Sequence, residues 1–161
     1  MGRDIELRSV EQLAEIGACH AVMMELRPHL KDAGSFIRQV MRQREHGYRL
    51  SAAWRDGRLV GVIGYRLQEN LLYGRFVFVD DLVVHQEFRR DGVGARLLSV
   101  ARAYARETSC RHFVLDTGLH MISPKYAASN SVKVTSEETN APTWIGRDAP
   151  VIHCPIYGTR K

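Results

Sequence analysis

FVFVDDLVV at residues 76–84, continued by HQEFRRDGVGARLL at 85–98, is the stretch from which the fold is read. Phe76 to Val84 is dense in β-branched and aromatic residues and predicts a strand buried on both faces. Gly92 and Gly94 stand where the pattern changes. From Val93 onward the apolar positions Val93, Leu97, Val100, Ala101, Tyr104 and Ala105 recur at helical spacing and leave one buried face. A strand, a basic glycine-bearing loop and a helix start therefore follow one another. The N–H groups of a first helical turn have no intrahelical partner, and the helix dipole favours an anion beside them. Glycine lets a ligand approach that backbone closely. Arg89 and Arg90 add charge and forked donors suited to phosphate. The stretch reads as a cradle for a pyrophosphate.

Three patterns of phosphate binding compete for it. A P-loop requires Lys-Ser/Thr after the second glycine, and Ala95-Arg96 follows here. A dinucleotide fold requires three glycines directly after a strand. The third is missing, and several residues separate Val84 from Gly92, although Asp116 lies at a suitable distance for a ribose-binding acid. The third pattern is Arg-x-x-Gly-x-Gly, present as Arg89-Arg90-Asp91-Gly92-Val93-Gly94. It follows a strand carrying acids and opens a helix. Together with Asp81-Leu82-Val83-Val84 before it and Leu97-Leu98 after it, this resembles the acetyl-CoA motif of the GNAT superfamily of N-acetyltransferases. A Gly-x-Gly at a helix start is otherwise only a tight turn; the preceding strand and the arginines weigh against that.

Size and charge bound the alternatives. A chain of 161 residues suits one domain with a sizeable core, here 1–161. A net charge of +5 permits an anionic ligand. No basic block or RNA-binding aromatic motif is present, so nucleic acid is not favoured as a partner. Cys19, Cys110 and Cys154 are odd in number and widely spaced, which fits free thiols in a reducing compartment. No apolar run approaches membrane-spanning length, and the N-terminus lacks a signal-peptide core. The expected location is cytoplasmic.

In chain order, Asp4 to Arg8 reads as a short strand. Ser9 and Gln12 read as a capping-box pair for a helix that stops at Arg27 before Pro28. Asp32 or Ser35 caps a second helix, ended by His46-Gly47. Met23, Met24 and His20 read as core. Tyr48 to Trp54 and Leu59 to Leu67 are strands joined across Arg55-Asp56-Gly57-Arg58, an Asp-Gly hairpin signal. After the long helix, Arg111 to Asp116 is another strand. The predicted order is β-α-α-β-β-β-α-β. Residues 119–161 hold four of the five prolines and no Phe. Only Val132 to Val134 and Val151 to Ile156 suggest short extended segments there.

The resemblance covers about residues 4–118 and implies the following. The fold is α+β, a mixed, mostly antiparallel sheet flanked by helices, with 119–161 an atypical replacement for the last helix and strands. The backbone at Leu82, Val83 and Val84 pairs with the pantetheine arm of acetyl-CoA, along an edge freed by two splayed strands. The loop Arg89, Arg90, Asp91, Gly92, Val93, Gly94 and Ala95 holds its pyrophosphate, and an N–H near Leu82 stabilises the developing oxyanion. Asp80 and Asp81 are the candidate bases, with equal claims; because successive strand residues face opposite sides, only one is expected to reach the amine. Tyr126 is the candidate proton donor to the leaving thiolate, with Tyr73 in reserve. The junction Arg27 to Ser35 shapes the acceptor pocket, with His29 and Lys31 read as surface residues. The implied reaction is acetyl transfer to a primary amine of a small molecule or peptide, with no metal. The rival readings are an acyl-CoA-binding module without turnover and an acetyltransferase acting on RNA or aminoacyl-tRNA. A missing final strand would expose a sheet edge and invite a homodimer.

Overall fold

The computed structural model describes residues 4–116, 132–136 and 142–145. The elements run β1 (Glu6–Ser9), α1 (Leu13–Leu26), α2 (Ala33–Arg44), β2 (Arg49–Arg55), β3 (Arg58–Asn70) and β4 (Gly74–Val84). A 3-10 turn (Gln86–Phe88) then leads to α3 (Val93–Glu107), β5 (His112–Asp116), β6 (Val132–Ser136) and β7 (Pro142–Ile145). The seven strands form one sheet in sequence order. All neighbours are antiparallel except β4 and β5. This is the mixed, mostly antiparallel architecture that the sequence predicts.

Local chemistry sets the boundaries. The capping box at α1 sits three residues later than Ser9 and Gln12. Gln12 is the N-cap and Glu15 reaches back to its N–H, while the Ser9 hydroxyl is spent on Glu11. Asp32 caps α2 by accepting from Gly34 and Ser35 N–H. Gly47, at φ 81°, takes the left-handed conformation that ends it. The turn between β2 and β3 has positive φ at both Asp56 and Gly57, the geometry that an Asp-Gly hairpin requires.

The C-terminal segment holds more sheet than its sequence suggests. Val132 to Val134 lies in β6, which pairs with β5, and β7 was not anticipated at all. Pro142, lacking an N–H, occupies the first position of β7, where a proline costs no ladder bond. The β5 edge expected to lie open is therefore covered. Val151 to Ile156 lies outside the described residues.

The helices divide between the two faces of the sheet. On one face, Val93, Leu97, Ala101 and Ala105 of α3 pack with Val60, Ile63, Val77 and Val79. On the other, Ile16, Cys19, Val22 and Met23 of α1 and Phe36 and Val40 of α2 pack with Leu50, Ala52, Val62 and Val83. Cys19 is wholly buried, and burial pushes its thiol up to about 12, so it is an inert packing residue. At Gly61 a Cβ would stand 2.9 Å from Leu97 Cδ1 and 3.1 Å from the Val83 carbonyl, so this glycine seats α3 closely on the sheet.

One irregularity governs the site. In the β3–β4 ladder Gly64 faces Asp81 and Tyr65 faces Val79, which leaves Asp80 as the extra residue of a β-bulge. Before the bulge Val77 and Val79 face α3; after it Leu82 and Val84 do, and Val83 faces α1 and α2. Strict alternation fails here for that reason. Asp80 and Asp81 open onto the same cleft instead of opposite sides.

Candidate active site

The cleft, of about 270 Å³, lies between the α1–α2 junction and the bulge of β4. Met23, Leu30, Phe36 and Val40 give it an apolar wall, and Asp80, Asp81, Arg27, Arg66 and Tyr48 give it a polar one. Both oxygens of Asp81 are occupied. Arg27 Nε donates to Oδ1 at 2.9 Å and the Tyr48 hydroxyl donates to Oδ2 at 3.0 Å. Tyr48 is buried. That burial, followed by the charge of Asp81, holds its phenol well above the usual range, so it stays a donor. The hydroxyl fits only because residue 64 is glycine: a Cβ there would lie 1.9 Å from it.

Asp80 is placed differently. Arg66 Nε donates to its Oδ2 at 2.9 Å, and among the described residues no donor meets Oδ1. Burial pushes its carboxyl up from the ordinary 3.8, against the opposing pull of Arg66. Its backbone carbonyl accepts from Arg27 Nη2 at 3.1 Å. One guanidinium therefore braces both sides of the bulge.

Beyond the bulge, β4 has a free edge. Its parallel pairing with β5 ends at Val79 and Leu115. His85 N–H donates to the Val60 carbonyl at 2.9 Å. Antiparallel alternation then turns the Asp81 and Val83 backbone toward β3 and the Leu82 and Val84 backbone toward the open edge. Arg89 Nε takes the Val84 carbonyl at 3.1 Å.

The loop after β4 ends on a helix start of the expected kind. Gly92 is the N-cap of α3 at φ 77°, and a Cβ there would project into open space. Among the described residues no acceptor takes the N–H groups of Val93, Gly94 and Ala95. This is the observation on which a phosphate cradle depends. The Asp91 side chain has a partner elsewhere. It pairs with Arg55 Nη1 at 2.7 Å and pins the loop to the β2–β3 hairpin. Arg89 is likewise committed, since its Nη2 meets Glu25 of α1 at 3.0 Å and Glu25 also accepts from Gln86 N–H at 3.1 Å. Two of the forked donors expected of Arg89, Nε and Nη2, orient the loop, and Nη1 has no partner among the described residues. Arg90 is exposed with φ 72°.

The structure thus brings together Asp80, Asp81, Leu82, Val83, Val84 and the Arg89–Ala95 loop, with Leu82 and Val84 contributing backbone. Tyr126 lies outside the described residues. Tyr73 is at the far end of β4, against Phe76 and His112. His29, read as a surface residue, lines the cleft. Tyr48 and Arg66 were missed, and Arg27 was placed at the pocket only as the first residue of the α1–α2 junction. Arg66 carried the only available signal, a charge inside an otherwise apolar strand. Among the described residues no group of three His, Cys, Asp or Glu could hold a metal ion.

Comparison with known proteins identifies the family. Residues 10–122 match a family model described as the acetyltransferase (GNAT) family. No curated protein matches. Among solved structures, the chain is 20% identical to a ribosomal-protein-alanine N-acetyltransferase from Brucella melitensis biovar Abortus 2308, covering 71% of this chain and 81% of that one at a TM-score of 0.62. It is 17% identical to glucosamine-6-phosphate N-acetyltransferase from Arabidopsis thaliana, covering 73% and 84% at 0.57. It is also 17% identical to AAC(6')-Iy in complex with the bisubstrate analogue CoA-S-monomethyl-acetylneamine, covering 71% and 80% at 0.61. At these identities the likeness is one of fold.

Proposed function

Since the chain belongs to the acetyltransferase (GNAT) family, we propose that it moves an acetyl group from acetyl-CoA to a primary amine by direct attack, with Asp80 as the base. One observation carries the reading. The free edge of β4 lies between a helix start with unpaired amides and a cleft holding a carboxylate with an unused oxygen. The residues present fit acetyl-CoA. The Val93, Gly94 and Ala95 N–H groups can donate to the diphosphate, and the Leu82 N–H and carbonyl with the Val84 N–H can pair with an amide-bearing arm as a sheet edge does with a peptide.

When bound, acetyl-CoA supplies the thioester and a thiolate leaving group. The chain does the rest. An alkylammonium is not nucleophilic near neutral pH, so a base must remove a proton. Asp80 is the better placed of the two acids, because Asp81 is held by Arg27 and Tyr48 and Asp80 keeps Oδ1 free. Asp81 then acts as the anchor that fixes Arg27 and Tyr48. The Leu82 N–H, turned to the open edge, stabilises negative charge on the carbonyl oxygen. The buried free thiols of Cys19 and Cys110 fit a reducing compartment and support a cytoplasmic location.

The test is incubation with acetyl-CoA and a broad panel of primary amines, reading free thiol. Acetyl-CoA-dependent thiol release that needs the amine supports the proposal. Tight coenzyme A binding with no turnover across the panel rejects it in favour of a binding module, and steep salt-dependent RNA retention points to an RNA-directed enzyme.

A further inference from the structure

The charges in the acceptor cleft come as two matched pairs. Arg27 sits on Asp81 and Arg66 on Asp80, each at 2.9 Å. Neither carboxylate is left as a surplus negative charge for a second ammonium group. What remains is an excess of donors. Arg66 uses Nε on Asp80 and Nη2 on the Gln43 amide oxygen at 3.3 Å, leaving Nη1. Gln43, whose oxygen takes that bond, keeps the two N–H donors of its NH2. Arg27 spends Nε and Nη2 on the bulge and keeps Nη1. Gln39 brings a further amide. Among the described residues, Asp80 Oδ1 is the carboxylate oxygen still unused.

From this inventory we infer that the acceptor is a monoamine that also carries an oxyanion, either a carboxylate or a phosphate ester. The inference rests on the transferase reading and narrows its substrate. The amine takes the one unused carboxylate oxygen. The oxyanion takes the spare donors of Arg27, Arg66 and Gln43, for which planar guanidinium groups are well shaped. A polyamine lacks any acceptor for those donors and would set its second cation beside two guanidiniums. The apolar wall of Met23, Leu30 and Phe36 accommodates a short carbon frame between the two ends.

The experiment compares matched acceptors under acetyl-CoA saturation, with kcat/KM from thiol release as the readout. A free amino acid is set against its methyl ester, glucosamine 6-phosphate against glucosamine, and spermidine stands as the polycation. At least one oxyanion-bearing acceptor should exceed its neutral match tenfold or more, and the pair that does so tells carboxylate from phosphate. In Arg27→Gln, taken forward once its circular dichroism spectrum matches the wild type, that ratio should fall toward one through KM. If spermidine or the neutral matches are preferred, the substrate class is wrong while the transferase reading stands. Absence of thiol release from every arm overturns both. An unchanged ratio in both Arg27→Gln and Gln43→Leu overturns the assignment of the oxyanion to these donors.

Discussion

At the scale of single residues, the two adjacent aspartates have different surroundings. On the proposed mechanism Asp80→Asn should lower kcat about a hundredfold in steady-state assays, with coenzyme A affinity retained. The acidic limb of kcat/KM should have its midpoint above the ordinary 3.8, because burial raises the Asp80 carboxyl. The linked stability has a definite sign. A carboxyl raised by folding stabilises the fold fully below its unfolded pKa and loses that contribution as pH rises through the raised value. The ionised form that the reaction needs is therefore the form the fold favours less. Denaturant titrations from pH 3.8 upward should show this slope in the wild type and a shallower one in Asp80→Asn. Gly64 offers a second test. Its alanine would drive Tyr48 off Asp81, and urea unfolding should record a loss of about 1–3 kcal/mol.

At the scale of elements, the decisive unit is the end of β4 joined to the start of α3. Gly92→Val forces a branched side chain into φ 77°, at a cost of about 1–2 kcal/mol. It also fills the space before the Val93–Ala95 amides. Calorimetry should find coenzyme A binding lost while the circular dichroism spectrum is kept; unchanged affinity would remove the cradle. This unit was legible in the sequence, because strand, glycine loop and helix each carry their own period. The end of α1 and both ends of α2 were legible within a residue or two from Pro28, Asp32 and Gly47, while α1 starts three residues past the cap read at Ser9. The bulge was not. Asp80 and Asp81 look alike in sequence, and the skipped partner shows only once β3 is laid beside β4. Tyr48 and Arg66 escaped for the same reason, since Arg66 meets Asp80 from the neighbouring strand and Tyr48 reaches Asp81 across Gly64 of β3. β7 was hidden by the proline that opens it.

At the scale of the whole molecule, ligand and fold are linked by mass action. Coenzyme A at a hundred times its Kd should add about 2.7 kcal/mol to unfolding stability, visible as a raised Tm that Gly92→Val no longer shows. The last turn of α1 binds the two halves together, with Glu25 on the loop side and Arg27 on the cleft side. The extra residue in β4 has a consequence for how this chain tolerates change. Substitutions between Val79 and His85 keep the register and should weaken the protein by degrees. Deleting Asp80 would leave Tyr65 opposite Val79 and Gly64 opposite Asp81 in an unbroken ladder, with Leu82 and Val84 still toward α3 and Val83 still toward α1 and α2. Such a shortened chain should keep its sheet and lose one of the two carboxylates that crowd the cleft. The surplus residue thus serves the cavity and is dispensable to the packing beneath it.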